Sequence, residues 1–286
     1  MRILVTGSVG RLGRSVVAEL EREGNEVVGV DLTAGTLPAD LTDLGEAYGV
    51  LTRFRPEAVV HLAAIATPFS RTDAQTFRVN TQLAYNVCEA AVNTGVERIV
   101  VASSPTVIGY GAPAGWSPRC LPIDEEHPTA PWNAYSASKL VAEEVMRTFA
   151  RRGTSHLAAI RPCYVVTPEE WQGAPTQQGH TITERLDRPE LAGVSLFNYV
   201  DARDAAEMIG LLVAKLPELP NGEVFFVGAA DALAREPLAD LLPAVVPATA
   251  GLAAGLTGTS PAFSTAKAER LLGWTAKRGW RTELEG

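Results

Sequence analysis

Three glycines set directly after a short apolar run limit this chain more than any other feature. Arg2–Thr6 reads as a strand, and Thr6-Gly7-Ser8-Val9-Gly10-Arg11-Leu12-Gly13 follows it into the amphipathic stretch Leu12–Glu23. A strand that turns sharply through glycines into a helix aims backbone N–H groups and the helix N-terminus at one point. That arrangement suits the negative charge of a pyrophosphate. The spacing here is GxxGxxG, not the GxGxxG of the standard dinucleotide fingerprint.

The rhythm that begins there continues. Glu26–Asp31, Ala58–Leu62, Arg98–Ser103 and His156–Arg161 are short apolar runs, and Thr81–Asn93 is a helical stretch between two of them. Gly24 and Gly95 stand where helices end in a left-handed residue. Apolar strands that alternate with helices predict a parallel sheet covered on both faces. Right-handed crossovers make it an α/β, doubly wound (Rossmann) sheet. After about residue 165 the pattern changes. Segment 167–189 is polar and rich in Pro, Gly and Gln, Val194–Val200 and Glu223–Gly228 read as strands, and Ala202–Lys215 reads as a helix. We expect a dinucleotide-binding domain over 1–165, with 194–228 returning to the sheet. Residues 166–193 and 229–286 are expected to form a smaller, discontinuous substrate-binding subdomain.

Composition closes off several alternatives. The formal net charge of −8 argues against nucleic acid and anionic membranes as partners. Cys88, Cys120 and Cys163 are far apart and no Cys/His cluster exists, so no metal site is expected. The N-terminal apolar run is too short for a signal peptide, and no stretch has the roughly 20 apolar residues of a membrane span. The expectation is a cytoplasmic protein with reduced thiols.

Two further features bear on chemistry. Asp31 ends the second strand, where a carboxylate binds the adenosine ribose hydroxyls and repels a 2′-phosphate. Leu32 and Thr33, not a basic residue, come next, which favours NAD over NADP. Tyr135 and Lys139 are four residues apart on a helical stretch and share one face. A tyrosine titrates at about 10, and a neighbouring ammonium favours phenolate. The pair is therefore expected to act as a general acid/base whose pKa Lys139 lowers. Ser103-Ser104 ends the fourth strand, at the edge that lines the ligand crevice of such a sheet.

In this order the residues resemble the extended short-chain dehydrogenase/reductase family, also called the NAD-dependent epimerase/dehydratase family. The resemblance rests on Thr6–Gly13, Asp31, Asp40-Leu41, His61-Leu62-Ala63-Ala64, Asn80, Ser103-Ser104, Tyr135/Lys139 and Arg161-Pro162. It continues in Tyr199-Val200-Asp201-Ala202-Arg203-Asp204 and in Ser264-Thr265-Ala266-Lys267 leading to Leu272-Gly273-Trp274. It implies NAD as cofactor, held by Gly7, Val9, Gly10, Arg11, Leu12, Gly13 and Asp31. Asp40 and Leu41 would contact adenine, and Leu62, Ala63 and Ala64 the ribose and phosphates. Pro162 and Cys163 would sit beside the nicotinamide, next to Tyr135 and Lys139. Asn80 would support the cofactor site or cap a helix. Ser104 would hold the reacting oxygen, and Thr67, Pro105, Thr106 and Tyr164 would lie near the substrate.

Departures from the family pattern narrow the chemistry. Dehydratases of the family carry an Asp-Glu pair after the catalytic Ser/Thr, and Pro105-Thr106 stand there instead. Ile108-Gly109 replaces the usual Tyr-Gly and is similar to the serine loop of uronate dehydrogenases, whose Asn-His pair is missing. The resemblance implies hydride transfer to or from a secondary alcohol or sugar carbon of a sugar, sugar acid or nucleotide sugar. An NAD-retaining sugar 4-epimerase is the alternative, and a non-catalytic dinucleotide sensor a third. Family analogy adds a homodimer through the helices around Thr81–Asn93 and Tyr135–Arg152.

Overall fold

A computed structural model describes residues 1–32 and 37–285. Thr33 lies outside the described residues. The chain runs β1 (Arg2–Thr6), α1 (Arg11–Arg22), β2 (Glu26–Asp31), β3 (Leu37–Pro38), α2 (Leu44–Phe54), β4 (Ala58–His61), α3 (Asp73–Asn93) and β5 (Arg98–Ala102). Then come α4 (Ala134–Ala150), β6 (His156–Pro162), β7 (Val165–Val166), α5 (Pro168–Trp171), α6 (Ile182–Asp187), α7 (Pro189–Gly193), β8 (Val200–Asp201) and α8 (Ala202–Lys215). The last elements are β9 (Glu223–Val227), α9 (Leu238–Val245), α10 (Ala250–Ala253), α11 (Ala266–Leu272) and α12 (Trp280–Leu284).

Seven parallel strands form the sheet in the order β3-β2-β1-β4-β5-β6-β9. Its central strands are buried on both faces, with Ala58, Val59 and Val60 of β4 fully enclosed. One face packs against α1 and α8 through Val16, Leu20, Ile209 and Leu212. The other packs against α2, α3 and α4 through Val50, Leu83, Val87, Met146 and Phe149. The strand order reverses between β1 and β4, so the loops after these two strands part and leave a crevice.

The glycine turn is as tight as its sequence demands. A Cβ on Gly13 would stand 2.0 Å from the Gly7 carbonyl oxygen. Gly7 itself has φ +69° and a Cβ there would meet Ala63 N at 2.7 Å. The turn after β1 is thus pressed against the turn after β4.

The strand expected at 194–200 is mostly a turn. Only Val200–Asp201 is extended, and it pairs with β7 outside the main sheet. Leu196 and Phe197 take positive φ values of 53° and 59°. Burial of their side chains among α-helical neighbours, rather than a ladder, accounts for the apolar run. Beyond residue 229 the chain folds back on the sheet side. Trp274 donates to Asp204 O at 3.2 Å, Trp280 Nε1 donates to Ala232 O at 3.0 Å, and the Trp280 N–H donates to the Tyr199 hydroxyl at 3.0 Å.

One buried carboxylate joins α4 to two strands. Glu143 accepts from Arg161 Nε at 2.7 Å and Nη2 at 2.9 Å, and from Ser103 Oγ at 2.6 Å. Glu143 is 0% exposed and Arg161 2%. Removing one partner of such a pair leaves a buried charge uncompensated. Glu143→Leu should therefore lower unfolding free energy by about 3–5 kcal/mol in urea titration. Glu144→Gln, an exposed neighbour, should change it by less than about 0.5 kcal/mol. Equal effects of the two would contradict the account.

Candidate active site

A single cleft of about 1190 Å³ follows the carboxyl edge of the sheet. At one end lie Gly7, Val9, Gly10, Arg11, Leu12 and Gly13, with Asp31, Asp40 and Leu41 beside them. Leu62, Ala63 and Ala64 continue the wall, and Pro162 and Cys163 face it from β6. Ser104, Pro105, Thr106, Tyr135, Lys139, Thr67 and Tyr164 line the middle and far end. The structure thus brings together every candidate residue except Asn80. That residue sits in the middle of α3, behind the wall, and Thr72 caps the helix. Asn80 Oδ1 accepts from Ile65 N at 2.8 Å, and its Nδ2 donates to Ile65 O and Ser138 Oγ, each at 3.1 Å. It holds the loop after β4 against α4.

The glycine end fits a dinucleotide. Gly10 caps α1 with no side-chain hydrogen bond, and no acidic residue occupies the first turn. The positive end of a 12-residue helix therefore faces the cleft without an internal anion. Asp31 reaches the Val9 N–H at 3.4 Å. Arg11 lines the cleft beside them. It donates to Val165 O at 2.7 Å and to buried Glu170 at 2.6 Å, tying the glycine loop to the segment after β6.

The centre is built on the first turns of two helical pieces. Ser104 ends β5 in an extended conformation and caps a short 3-10 turn, accepting from Thr106 N at 3.3 Å. Asn133 caps α4 by accepting from Ser136 N at 2.9 Å, which sets Tyr135 in the opening turn. Lys139 lies one turn further on, its Nζ 5.9 Å from the Tyr135 ring centre, and donates to Ala102 O at 2.9 Å. Burial pushes the Tyr135 phenol above its ordinary value, and a hydrogen bond with Ser104 opposes the shift. The expected lowering by Lys139 is therefore not what this geometry gives. Its ammonium is directed to the Ala102 carbonyl, and burial pushes Lys139 itself down to about 8. His61 is pushed down to about 3 by burial, then by Lys139, so it is neutral. Its Nδ1 lies 2.7 Å from the Thr6 hydroxyl, as a strand-end hydrogen bonder.

Sequence reasoning missed Gln177, Gln178, Val194, Ser195 and Asn198, which close the far end. They lie in turns whose residues carry no pattern of their own. Tyr110 and Trp132 also line the cleft, whereas Trp116 packs beside it and donates to Ile108 O at 2.8 Å. None of the lining residues comes from beyond residue 198. The expected contribution of 229–286 to the substrate wall is thus absent among the described residues. No group of His, Cys, Asp or Glu among the described residues could hold a metal ion.

Residues 3–228 match the model of the NAD dependent epimerase/dehydratase family. The chain belongs to this family. A 159-residue stretch is 35% identical to the UDP-glucose 4-epimerase of Azospirillum brasilense, covering 51% of this chain and 44% of that enzyme. The chain thus spans under half the length of that relative. It is 30% identical over 219 residues to the L-arabinose 1-dehydrogenase (NAD(P)(+)) of Haloferax volcanii, covering 70% of this chain and 76% of that enzyme. Among solved structures, a short-chain dehydrogenase/reductase superfamily protein of Agrobacterium tumefaciens with bound NAD is 26% identical, with a TM-score of 0.74 over 100% of this chain and 95% of that one. The family match and the doubly wound sheet agree.

The depressed Lys139 has a measurable consequence. Its folded value is about 8 against 10.5 for the free side chain. Below the folded value both states carry the charge and the folded state bears the full burial cost. Between the two values the unfolded chain binds the extra proton, so stability rises with pH. Wild type should therefore gain stability relative to Lys139→Met as pH rises from 8 to 10.5. Urea midpoints of both proteins at the two limits check this; a relative loss by wild type would refute it.

Proposed function

We propose that this chain moves a hydride between NAD and a sugar carbon, with Tyr135 as general acid/base. Ser104 and Tyr135 meeting at the middle of the cleft, between the glycine end and the far pocket, is the observation that carries it. A sensor has no use for a hydroxyl, a phenol and an ammonium gathered at one point, so the non-catalytic alternative is set aside.

When bound, NAD supplies the hydride acceptor and donor. The N-terminus of α1, Gly7, Gly10 and Gly13 would hold its pyrophosphate, and Asp31 its adenosine ribose. A carboxylate at that place repels a 2′-phosphate, which favours NAD over NADP. Asp40, Leu41, Leu62, Ala63 and Ala64 would follow the adenine and ribose, with Pro162 and Cys163 beside the nicotinamide. Ser104 orients the substrate oxygen. In oxidation the substrate O–H bond breaks and its proton passes to the Tyr135 oxygen, while the C–H electron pair leaves as hydride. In reduction the same proton returns. Lys139, one turn further along α4, is anchored beneath Tyr135 by its bond to the Ala102 carbonyl.

Two reactions use this step. The match to a UDP-glucose 4-epimerase favours 4-epimerisation, in which the hydride is taken and given back at one carbon. Net dehydrogenation with release of NADH is the second, supported by the sugar dehydrogenase of which this chain covers 76%. Pro105 and Thr106 offer no carboxylate for eliminating water. The substrate is taken to be a small sugar derivative, touched by Thr67, Pro105, Thr106 and Tyr164. Residues 1–165 with 194–228 would form the NAD-binding domain, and 166–193 would cover the far pocket. A homodimer is assigned to the faces of α3 and α4, where Phe77 and Tyr85 are exposed. A cytoplasmic location accords with the absence, among the described residues, of any helix long and apolar enough to cross a membrane.

Tyr135→Phe should lower turnover by about 10²–10⁴-fold while NAD binding persists. NADH absorbance and epimer analysis read the first, and calorimetry the second. Full turnover in Tyr135→Phe would end the proposal. Asp31→Ala should narrow the preference for NAD over NADP, and a wild type that prefers NADP would overturn the role of Asp31.

A further inference from the structure

The far end of the cleft differs in charge from its cofactor end. Four charged side chains line the cleft: Arg11, Asp31, Asp40 and Lys139. Three belong to the glycine end and the fourth stands under Tyr135. Beyond Tyr135 the lining is neutral, formed by side chains such as Tyr164, Gln178, Ser195 and Asn198. A diphosphate laid against that wall would meet no exposed cation.

Directly behind the same wall sits a cation without a counter-ion. Arg185 of α6 is 0% exposed. Its guanidinium stacks 4.3 Å from the Tyr164 ring centre. Nη1 donates to Gln178 Oε1 at 2.6 Å, and Nη2 to Ser195 Oγ at 3.5 Å. Nε has no hydrogen-bond partner. The carboxylate whose charge Arg185 feels is Glu170, which makes no ion pair with it: Oε2 pairs with Arg11 at 2.6 Å, and the buried Oε1 has no hydrogen-bond partner. Arg11, Glu170 and Arg185 together carry one excess positive charge. A buried guanidinium is normally matched by a carboxylate, in bidentate geometry. Here its strongest partner is the neutral amide of Gln178, an exposed side chain on a cleft-lining loop.

We propose that Arg185 recognises a carboxylate of the substrate, which displaces the Gln178 amide, so that the substrate is a small sugar acid rather than a nucleotide sugar. One carboxylate matches the one excess charge, and the exposed Gln178 amide is the group it would replace. This rests on the hydride-transfer function proposed above and names the molecule that undergoes it.

The test uses the full chain loaded with NAD, and D-glucuronate and D-galacturonate as probes against D-glucose, D-galactose and UDP-glucose. Binding is read by calorimetry, and reaction by NADH absorbance with epimer analysis. The uronates should bind in preference to the neutral sugars and to UDP-glucose. Gln178→Glu supplies Arg185 with an internal carboxylate at nearly constant shape, and should weaken uronate binding about 100-fold. NAD affinity should be unchanged and the melting temperature should not fall. Gln178→Ala should bind uronates at least as tightly as wild type. Arg185→Met should lose them, and Arg185→Lys should recover part of the affinity. Uronates that bind no better than neutral sugars, or are indifferent to Gln178→Glu, would overturn the role of Arg185. Tyr135-dependent turnover of a neutral sugar or UDP-glucose would also overturn it, and would leave hydride transfer standing. Uronates that bind through Arg185 but are neither oxidised nor epimerised would do the reverse.

Discussion

The catalytic geometry depends on where α4 lies against the sheet, and one buried carboxylate decides that. Tyr135, Lys139 and Glu143 follow each other at intervals of four and so share a face. Glu143 is locked to Ser103 at the end of β5 and to Arg161 on β6. Lys139 adds a bond to Ala102, also on β5. A slip of α4 by one turn would break all three links and carry Tyr135 away from Ser104. The acid/base pair is thus held from below by charges that take no part in the reaction, in an interior that penalises leaving any of them unpaired.

The same economy governs the rest of the cleft. The reversal of strand order between β1 and β4 opens the crevice, and the contact of Gly7 with Ala63 keeps its floor narrow. Asn80 braces the loop after β4 against α4, so the cofactor wall and the catalytic helix are one rigid unit. Arg11 then couples the glycine loop to Glu170, at the start of the segment that covers the far pocket. The run from Tyr199 to Asp204, part of the family resemblance, is structural. Trp171 donates to Asp201 at 2.7 Å, and Asp204 accepts from the Lys277 and Arg278 N–H groups at 2.8 and 2.7 Å.

How much of this was legible in the sequence follows from where side chains alone decide conformation. Continuous apolar runs buried on both faces announce parallel strands, and β1 and β2 begin and end as their residues predict. The glycine turn, Ser104 and the Tyr135/Lys139 spacing are local, so their convergence follows once the sheet is doubly wound. Val194–Val200 misled because an apolar run records burial, and burial here comes from helices around two left-handed residues. Asn80 reads in sequence as a support of the cofactor site or a helix cap; the amide braces the loop after β4, and Thr72 is the cap. The raised Tyr135 pKa comes from burial, which the spacing of Tyr135 and Lys139 does not reveal. Arg185 reads in sequence as one more surface base; only its neighbours show that it has no carboxylate.

The fold-back of residues 230–285 has a consequence for how such a chain can change. Trp274, Trp280 and Tyr199 clamp that part against α8, away from the cleft. The far pocket is left to the stretch between Thr167 and Asn198, which is held at one post by Glu170 and Trp171 and at the other by Tyr199 and Asp201. Between those posts, turns and short helices can be rewritten without disturbing a strand of the main sheet. Reactivity and selectivity are in this way separately heritable: a lineage can trade one substrate for another by exchanging a span of surface chain while its hydride chemistry passes on unaltered.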